Sequence, residues 1–447
     1  MLKLSVFMSP TGAHAGGWRH PDAVIDAGFN YDPWVDFARL IERGKFDMLF
    51  LADGNGVNGI ENPELLSRNP VTRPVVIEPL CLLSALATQT SRVGLVATAT
   101  TTYDQPYSVA RRYASLDWLS KGRAGWNVVT SSNAEDAKNF SRDEHVEHND
   151  RYERAGEFVD VVRDLWDSWA DDAFVLDKES GVFLDGDKVR LLEHKGKNFS
   201  VRGPLNCARP PQGHPVIVVA GASDSAMELA ARVADVIFTV TETKSAAQEF
   251  YADVKRRARK YGRNPDDLKV FPGASIFVGR TAEEADAQYR QLQDLIPEAV
   301  GIQFLSKMVG VDLTAYSPED PLPELPETQG IRSFRNLIEE IAKRDGLNIR
   351  QLYQYVLPAR GHVLIKGDAA TVAGTMEEWY RDKACDGFNL VAPYLPGGLE
   401  AIVDLLIPEL QRRGLFRTEY EGTTLRDSLG LARPENRFFL AEAVAAQ

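Results

Sequence analysis

Apolar and polar positions along the chain fall into two kinds of segment that alternate. Eight short runs are apolar almost throughout: Leu2–Met8, Asp47–Ala52, Arg92–Ala99, Gly125–Thr130, Pro215–Ala220, Asp235–Val240, Val270–Val278 and Gly387–Val391. Continuous apolar runs rich in β-branched residues predict strands buried on both faces, as in a parallel sheet. Between them lie segments with apolar residues at helical spacing: Pro33–Arg43, Val75–Gln89, Ser108–Leu119, Arg151–Trp169, Ser223–Val233, Ser245–Tyr261, Ile331–Arg344 with Thr371–Asp382, and Leu399–Arg413. Strand followed by helix, eight times over, predicts an α/β fold of the (β/α)8 TIM-barrel type. An open doubly wound sheet is the alternative that the same periodicity allows.

The spacing is uneven, and the departures predict insertions after strands 4 and 7. The first is a polar, Gly-punctuated section at about 171–211 with the look of a small hairpin excursion. The second covers about 297–360 and holds a Pro-rich passage at Pro318–Pro326. The expected organisation is one domain over 1–447, because such barrels absorb long insertions without dividing. Loops on a rigid scaffold are where specificity tends to be placed.

Charge narrows the partners. A net charge of −13 opposes binding to nucleic acid and to anionic membranes. Leu4–Met8 is too short for a signal-peptide core, and no run has the length of a membrane span. Cys81, Cys207 and Cys385 are too few and too scattered for a disulfide framework or a zinc site, which fits a reducing cytoplasm. The seven histidines contain no metal-binding pattern.

In a barrel the carboxyl ends of the strands form one rim, so polar residues at successive strand ends converge. That gathers His14, Trp18, Arg19 and His20 after the first strand, Asp53 after the second, Thr98 and Thr100–Tyr103 after the third, Asn127–Ser132 after the fourth, and Gly221–Ser223 after the fifth. Backbone N–H groups at Gly221–Ser223 and the Ser223 hydroxyl are placed to receive a phosphate at a helix start. Ordinary capping is the competing reading there, since Ser225 and Glu228 have capping-box spacing. His148 and Tyr152, four apart, share a helix face that can reach the same ligand. Gly54, Gly56 and Gly59 satisfy the G-x-G-x-x-G spacing, but Pro63 and Asn69-Pro70 follow where a dinucleotide fold needs a helix, so the segment reads as loop. Its partial likeness to a calcium loop fails at Val57 and Asn58.

The stretch Gly122–Ser131, GRAGWNVVTS, preceded by Leu119-Ser120-Lys121, resembles the nitrilotriacetate and dibenzothiophene-sulfone monooxygenase branch of the bacterial luciferase-like flavin monooxygenases. So do Arg360-Gly361-His362, Asp386–Asn389, Tyr394–Gly398 and Tyr420–Gly430. The resemblance implies an FMNH2-dependent monooxygenase that oxygenates a small organic substrate with O2, with C–N or C–S cleavage among the outcomes. It further implies reduced FMN as a diffusible cosubstrate from a separate NAD(P)H:FMN reductase, and a homodimer or homotetramer. By the same resemblance Ser223 and Tyr152, with His148 nearby, stand at the flavin phosphate, and Asp53 on the ring side. Thr100 and Asn127 are expected around the ring or ribityl chain. His14 and His20 are the catalytic candidates, since an imidazole can donate a hydrogen bond to reduced oxygen or to substrate. The alternatives are a barrel hydrolase or isomerase that grips a phosphorylated substrate, and a non-catalytic flavin-binding protein.

Overall fold

The computed structural model describes residues 1–131, 133–325, 332–358 and 361–439. Its strands are β1 (Lys3–Met8), β2 (Met48–Leu51), β3 (Gly94–Thr100), β4 (Ala124–Val129), β5 (His194–Lys195), β6 (Ser200–Val201), β7 (Val216–Ala220), β8 (Val236–Thr239), β9 (Lys269–Gly279), β10 (Val363–Asp368) and β11 (Gly387–Val391). β1, β2, β3, β4, β7, β8, β9 and β11 pair in parallel in that order, and β11 returns to β1. The sheet is therefore a closed eight-stranded barrel, and each of the eight predicted strands is one of its staves.

The helices follow from their apolar spacing. Asp32–Arg43 buries Trp34, Phe37, Ala38 and Ile41, one face of a 3.6-residue repeat, against the outside of the barrel. Trp126, in the signature strand β4, points outward. It packs against Tyr113, Phe158 and Trp166 of the two helices Pro106–Ser120 and His148–Trp166. Inside the barrel a separate apolar cluster includes Met48, Phe50, Val96, Val218 and Phe271. Leu425, Leu429 and Leu431 belong to it, so the Tyr420–Gly430 stretch plugs the barrel from within rather than contributing to the rim.

Both excursions take shape. Residues 171–211 include the antiparallel pair β5–β6, as the hairpin reading expects. This segment is tied down by buried Asp167, which meets Arg209 at 2.9 Å and His214 at 2.9 Å. After β9 comes a helical cap, in which Glu298–Val309 and Ile349–Val356 were not foreseen. Its own core, with Val300, Leu305, Ile349 and Leu352, also takes in Leu65 from the loop after β2 and Ala15 from the loop after β1. Helix Arg332–Asp345 lies where Ile331–Arg344 was expected, while Ile331 itself, Pro326, Ser132 and Arg360 fall outside the described residues.

β10 is a ninth strand that periodicity did not announce. β9 is eleven residues long and pairs with β8 only over Lys269–Pro272; β10 then pairs with its far end from Ala274 to Gly279. Pro272, which has no N–H to donate, sits where one partner gives way to the other.

Candidate active site

The carboxyl ends of β2, β3, β4 and β7 enclose a cavity of about 320 Å³ lined by Asp53, Arg73, Thr98, Thr100, Ser131 and Tyr152, among others. Two larger hollows adjoin it. A groove of about 860 Å³, between the loop after β2 and helix Glu298–Val309, shares Asn58 and Asn133 with it. A shallow cleft of about 540 Å³ beyond Tyr152 shares Tyr152 and Leu229.

At the β7 end the chain turns through Gly221, whose φ of +144° belongs to glycine. A Cβ there would stand 2.8 Å from the Ala226 Cβ and 3.9 Å from the Tyr152 hydroxyl, so backbone, helix start and Tyr152 meet at one point. Ser223, not Ser225, caps the helix Asp224–Val233: its Oγ accepts from the Ala226 N–H at 3.2 Å. The capping-box reading on Ser225 and Glu228 is thereby corrected, because the helix starts two residues earlier than that spacing requires. Glu228 instead binds Arg257 and Lys260. Asp224, which would repel an anion here, is paired with Arg257 at 2.6 Å. His148 is exposed, its ring 5.0 Å from that of Tyr152.

In the barrel's inner layer, Asn127 is buried and its amide donates to Thr98 Oγ1 at 2.8 Å, which in turn donates to the Leu51 carbonyl. Parallel register sets Thr98 opposite Asn127, so this pair is a direct product of β3–β4 alignment. Asn127 Oδ1 and Thr102 Oγ1 are buried without a protein partner among the described residues. Thr100 is already engaged, its hydroxyl 2.9 Å from that of Ser131.

At the β2 end, burial raises the Asp53 carboxyl to about 6, against the opposing pull of the Gly54 N–H and the Arg73 charge. Asp53 thus titrates close to neutrality. If its carboxylate accepts hydrogen bonds from the flavin ring, FMNH2 affinity will fall as pH drops through about 6. Because the folded-state value lies above the unfolded one, ionising Asp53 costs stability as pH rises from the normal carboxylate range to about 6. Asp53→Asn should therefore bind FMNH2 more weakly yet melt higher at pH 7; a variant with an unchanged melting temperature and pH profile removes this role.

Asp53, Thr100 and Tyr152 line the cavity; Asn127, Ser223 and His148 do not, Asn127 lying in the layer beneath, Ser223 capping the helix after β7, and His148 standing beside Tyr152. His14 and His20 do not line it. His14 is buried behind the loop after β1, edge-on to Phe277, with Nδ1 accepting from Gly16 N–H at 3.0 Å. Burial lowers its pKa to about 4, so it is neutral and not an acid at pH 7. His20 stacks on Tyr394 at 4.1 Å.

Residue reading overlooked Arg73 and His145, and it quoted His362 only as part of the resemblance, without a role at the site. His145 is held by the Tyr103 hydroxyl at 2.6 Å and by Arg151. His362 stacks on Phe238, and its ring fills the space a side chain at Gly273 would need. For Arg73 a signal existed: Ala52–Glu78 is a long connection with only two short helical turns, a length that usually marks a binding loop.

Residues 6–343 match the luciferase-like monooxygenase family. The chain belongs to that family. It is 50% identical over 440 residues to N-acetyl-S-(2-succino)cysteine monooxygenase from Bacillus subtilis (strain 168), with 98% of each chain covered. It is 48% identical over 441 residues to nitrilotriacetate monooxygenase component A from Aminobacter aminovorans, with 97% of each covered. The solved structure of DmoA from Hyphomicrobium sulfonivorans superposes with a TM-score of 0.87 at 33% identity, covering 96% of this chain and 92% of that one. As a luciferase-like monooxygenase the chain is an oxidoreductase that works with reduced FMN. The residues present suit that cofactor: a cavity lined from four strand ends, unpartnered Asn127 Oδ1 and Thr102 Oγ1 in its neighbourhood, and a glycine-turned helix start with its nearby acid neutralised.

Proposed function

We propose that the protein is the oxygenase component of a two-component system, taking FMNH2 from a separate NAD(P)H:FMN reductase and using O2 to oxygenate a small organic substrate. The flavin supplies the electrons that activate oxygen. The protein's share is to hold the cofactor and keep water out. Ser223 and Tyr152, with His148 at the edge, bind the phosphate; Asp53 and Asn127 orient the ring, and Thr100 shapes the wall through Ser131. His14 acts as a neutral positioning group behind the substrate pocket, and His20 as a wall residue stacked on Tyr394. The observation that carries the reading is the cavity itself, which joins Asp53 at one end to Tyr152 at the other across four strand ends.

Anaerobic titration with FMNH2, followed by admission of O2 and a carbon substrate, tests this. Saturable FMNH2 binding, and one atom of 18O2 in the product, are expected. No flavin binding would favour the reading in which Gly221–Ser223 holds a phosphorylated substrate.

Among the described residues no helix is long and apolar enough to cross a membrane, and the cysteines are unpaired, which supports a cytoplasmic site of action. Self-association is supported by Val175, Leu176, Val182 and Phe183, which stand exposed on one tight turn. A dimer or tetramer mass in solution, reduced by Phe183→Asp, is expected.

A further inference from the structure

Arg73 is a cation in search of an anion. The residue is half-buried, its side chain makes no hydrogen bond or ion pair with the described residues, and its Nη1 is fully shielded from solvent without a partner. Burial lowers its pKa, and Asp53 is the charge that offsets this; even so, Asp53 stays beyond ion-pair distance. A shielded guanidinium N–H left unsatisfied keeps its desolvation penalty, so the position is unfavourable unless something binds there. The backbone adds to the cost. Arg73 closes the turn Pro70–Thr72 in the left-handed region, at φ 53° and ψ 58°, where glycine or asparagine would fit with less strain.

The anion at Arg73 is not the cofactor's phosphate. Arg73 lies with Asp53 at the β2 end of the cavity, whereas the phosphate cradle follows β7. In the barrel order β2-β3-β4-β7 these ends are three strand spacings apart, about 14 Å. Its neighbour Thr72 lines the adjoining groove while Arg73 lines the cavity, so the guanidinium stands at the wall between them. The groove carries a further cation, exposed Lys307, which has no ion pair among the described residues, alongside the carboxylates of Glu61, Glu135 and Asp312, so the anion's point of capture is Arg73 and not the groove's overall charge.

We propose that Arg73 is the specificity-determining residue for substrate, binding a carboxylate of a small organic acid that reaches the cavity through the groove between the β2 loop and helix Glu298–Val309. This rests on the monooxygenase reading above and names its substrate class. A planar guanidinium takes a carboxylate bidentately, which fixes orientation as well as affinity. Uncharged substrates of similar bulk leave Arg73 unpaired and are disfavoured for that reason.

The test uses the full chain loaded anaerobically with FMNH2. Nitrilotriacetate and N-acetyl-S-(2-succino)cysteine are the carboxylate probes, and dibenzothiophene sulfone is the uncharged one; binding is followed by calorimetry and by oxygen uptake on readmission of air. Arg73→Asn suits the left-handed backbone, and Arg73→Lys keeps the charge but loses the fork. For the wild type we expect at least one carboxylate to bind and the sulfone not to bind. Arg73→Asn should weaken that carboxylate at least thirtyfold and Arg73→Lys by less, with FMNH2 affinity within threefold of wild type for both. Failure of the wild type to bind either carboxylate, or unchanged binding by Arg73→Asn, overturns the proposal. So does a parallel loss of FMNH2 affinity, which would reassign Arg73 to the flavin. Absence of FMNH2 binding by the wild type would instead overturn the monooxygenase reading on which the proposal stands.

Discussion

Ser223→Asp is expected to fold as the wild type does and to lose FMNH2 affinity by a hundredfold or more. Ser223 caps the helix Asp224–Val233 through its Oγ, and aspartate is as good a cap as serine. The capping hydrogen bond to the Ala226 N–H therefore survives the substitution. What changes is the charge at the point where a phosphate would sit. Two like charges about 4 Å apart at a protein surface repel by about 4 kcal/mol, which exceeds the 2.7 kcal/mol that a hundredfold loss represents. Arg257 already balances Asp224, Glu228 and Asp253, so it has little to offer a fourth carboxylate. Ser223→Ala provides the converse: it removes the cap, at about 1 kcal/mol, together with one hydrogen bond to the ligand. Equal melting temperatures for wild type and Ser223→Asp, with FMNH2 affinity retained, would leave Ser223 as a cap alone.

Arg417→Met should destabilise the fold by about 3–5 kcal/mol, a large share of the 5–15 kcal/mol by which domains are typically stable. Asp47 is fully buried at the start of β2, where its Oδ2 accepts from the Leu4 N–H at 2.7 Å and its Oδ1 from Arg417. Arg417 also donates to the Ser428 carbonyl, linking the plug to the barrel floor. Burial pushes the Asp47 carboxyl up, and Arg417 and then Lys3 oppose that push. Without Arg417 the carboxylate stays in place with only the weaker of its two counter-charges. Its pKa rises further above the unfolded value, so the lost stability returns as pH falls and Asp47 takes up a proton. Adding Asp47→Asn should restore part of the loss at neutral pH. Urea midpoints for the two single variants and the double variant, at pH 5 and pH 7, measure the coupling; additive losses would mean that the pair is not a unit.

How much of this was legible from residues alone varies by element. The eight barrel strands were, because a strand buried on both faces must be apolar along its length, and β-branched runs such as Val216–Val219 leave few other structures open. The rim was legible as well: once a barrel is inferred, strand-end residues such as Asp53 and Thr100 must approach one another, while Tyr152 was placed by its helix face. Tertiary structure decided what local pattern does not encode. β10 exists because β9 extends past the end of β8 and offers an unpaired edge; its six residues alternate in burial once folded, but their sequence, three apolar residues followed by Lys366, Gly367 and Asp368, does not alternate. Ser223 rather than Ser225 became the cap because strand β7 ends at Ala220 and fixes where the helix can begin. His14 and His20 were drawn to the site by their chemistry, yet packing against Phe277 and Tyr394 turned them away from the cavity. Arg73 shows the opposite case. The length of the Ala52–Glu78 connection marks its loop but not the residue, and only the closure of that loop over the barrel mouth leaves its charge shielded and unpaired. Periodicity reports which faces are apolar and hence the architecture, whereas the direction of each polar side chain depends on loop conformation and on contacts distant in sequence, and those are settled only when the chain closes.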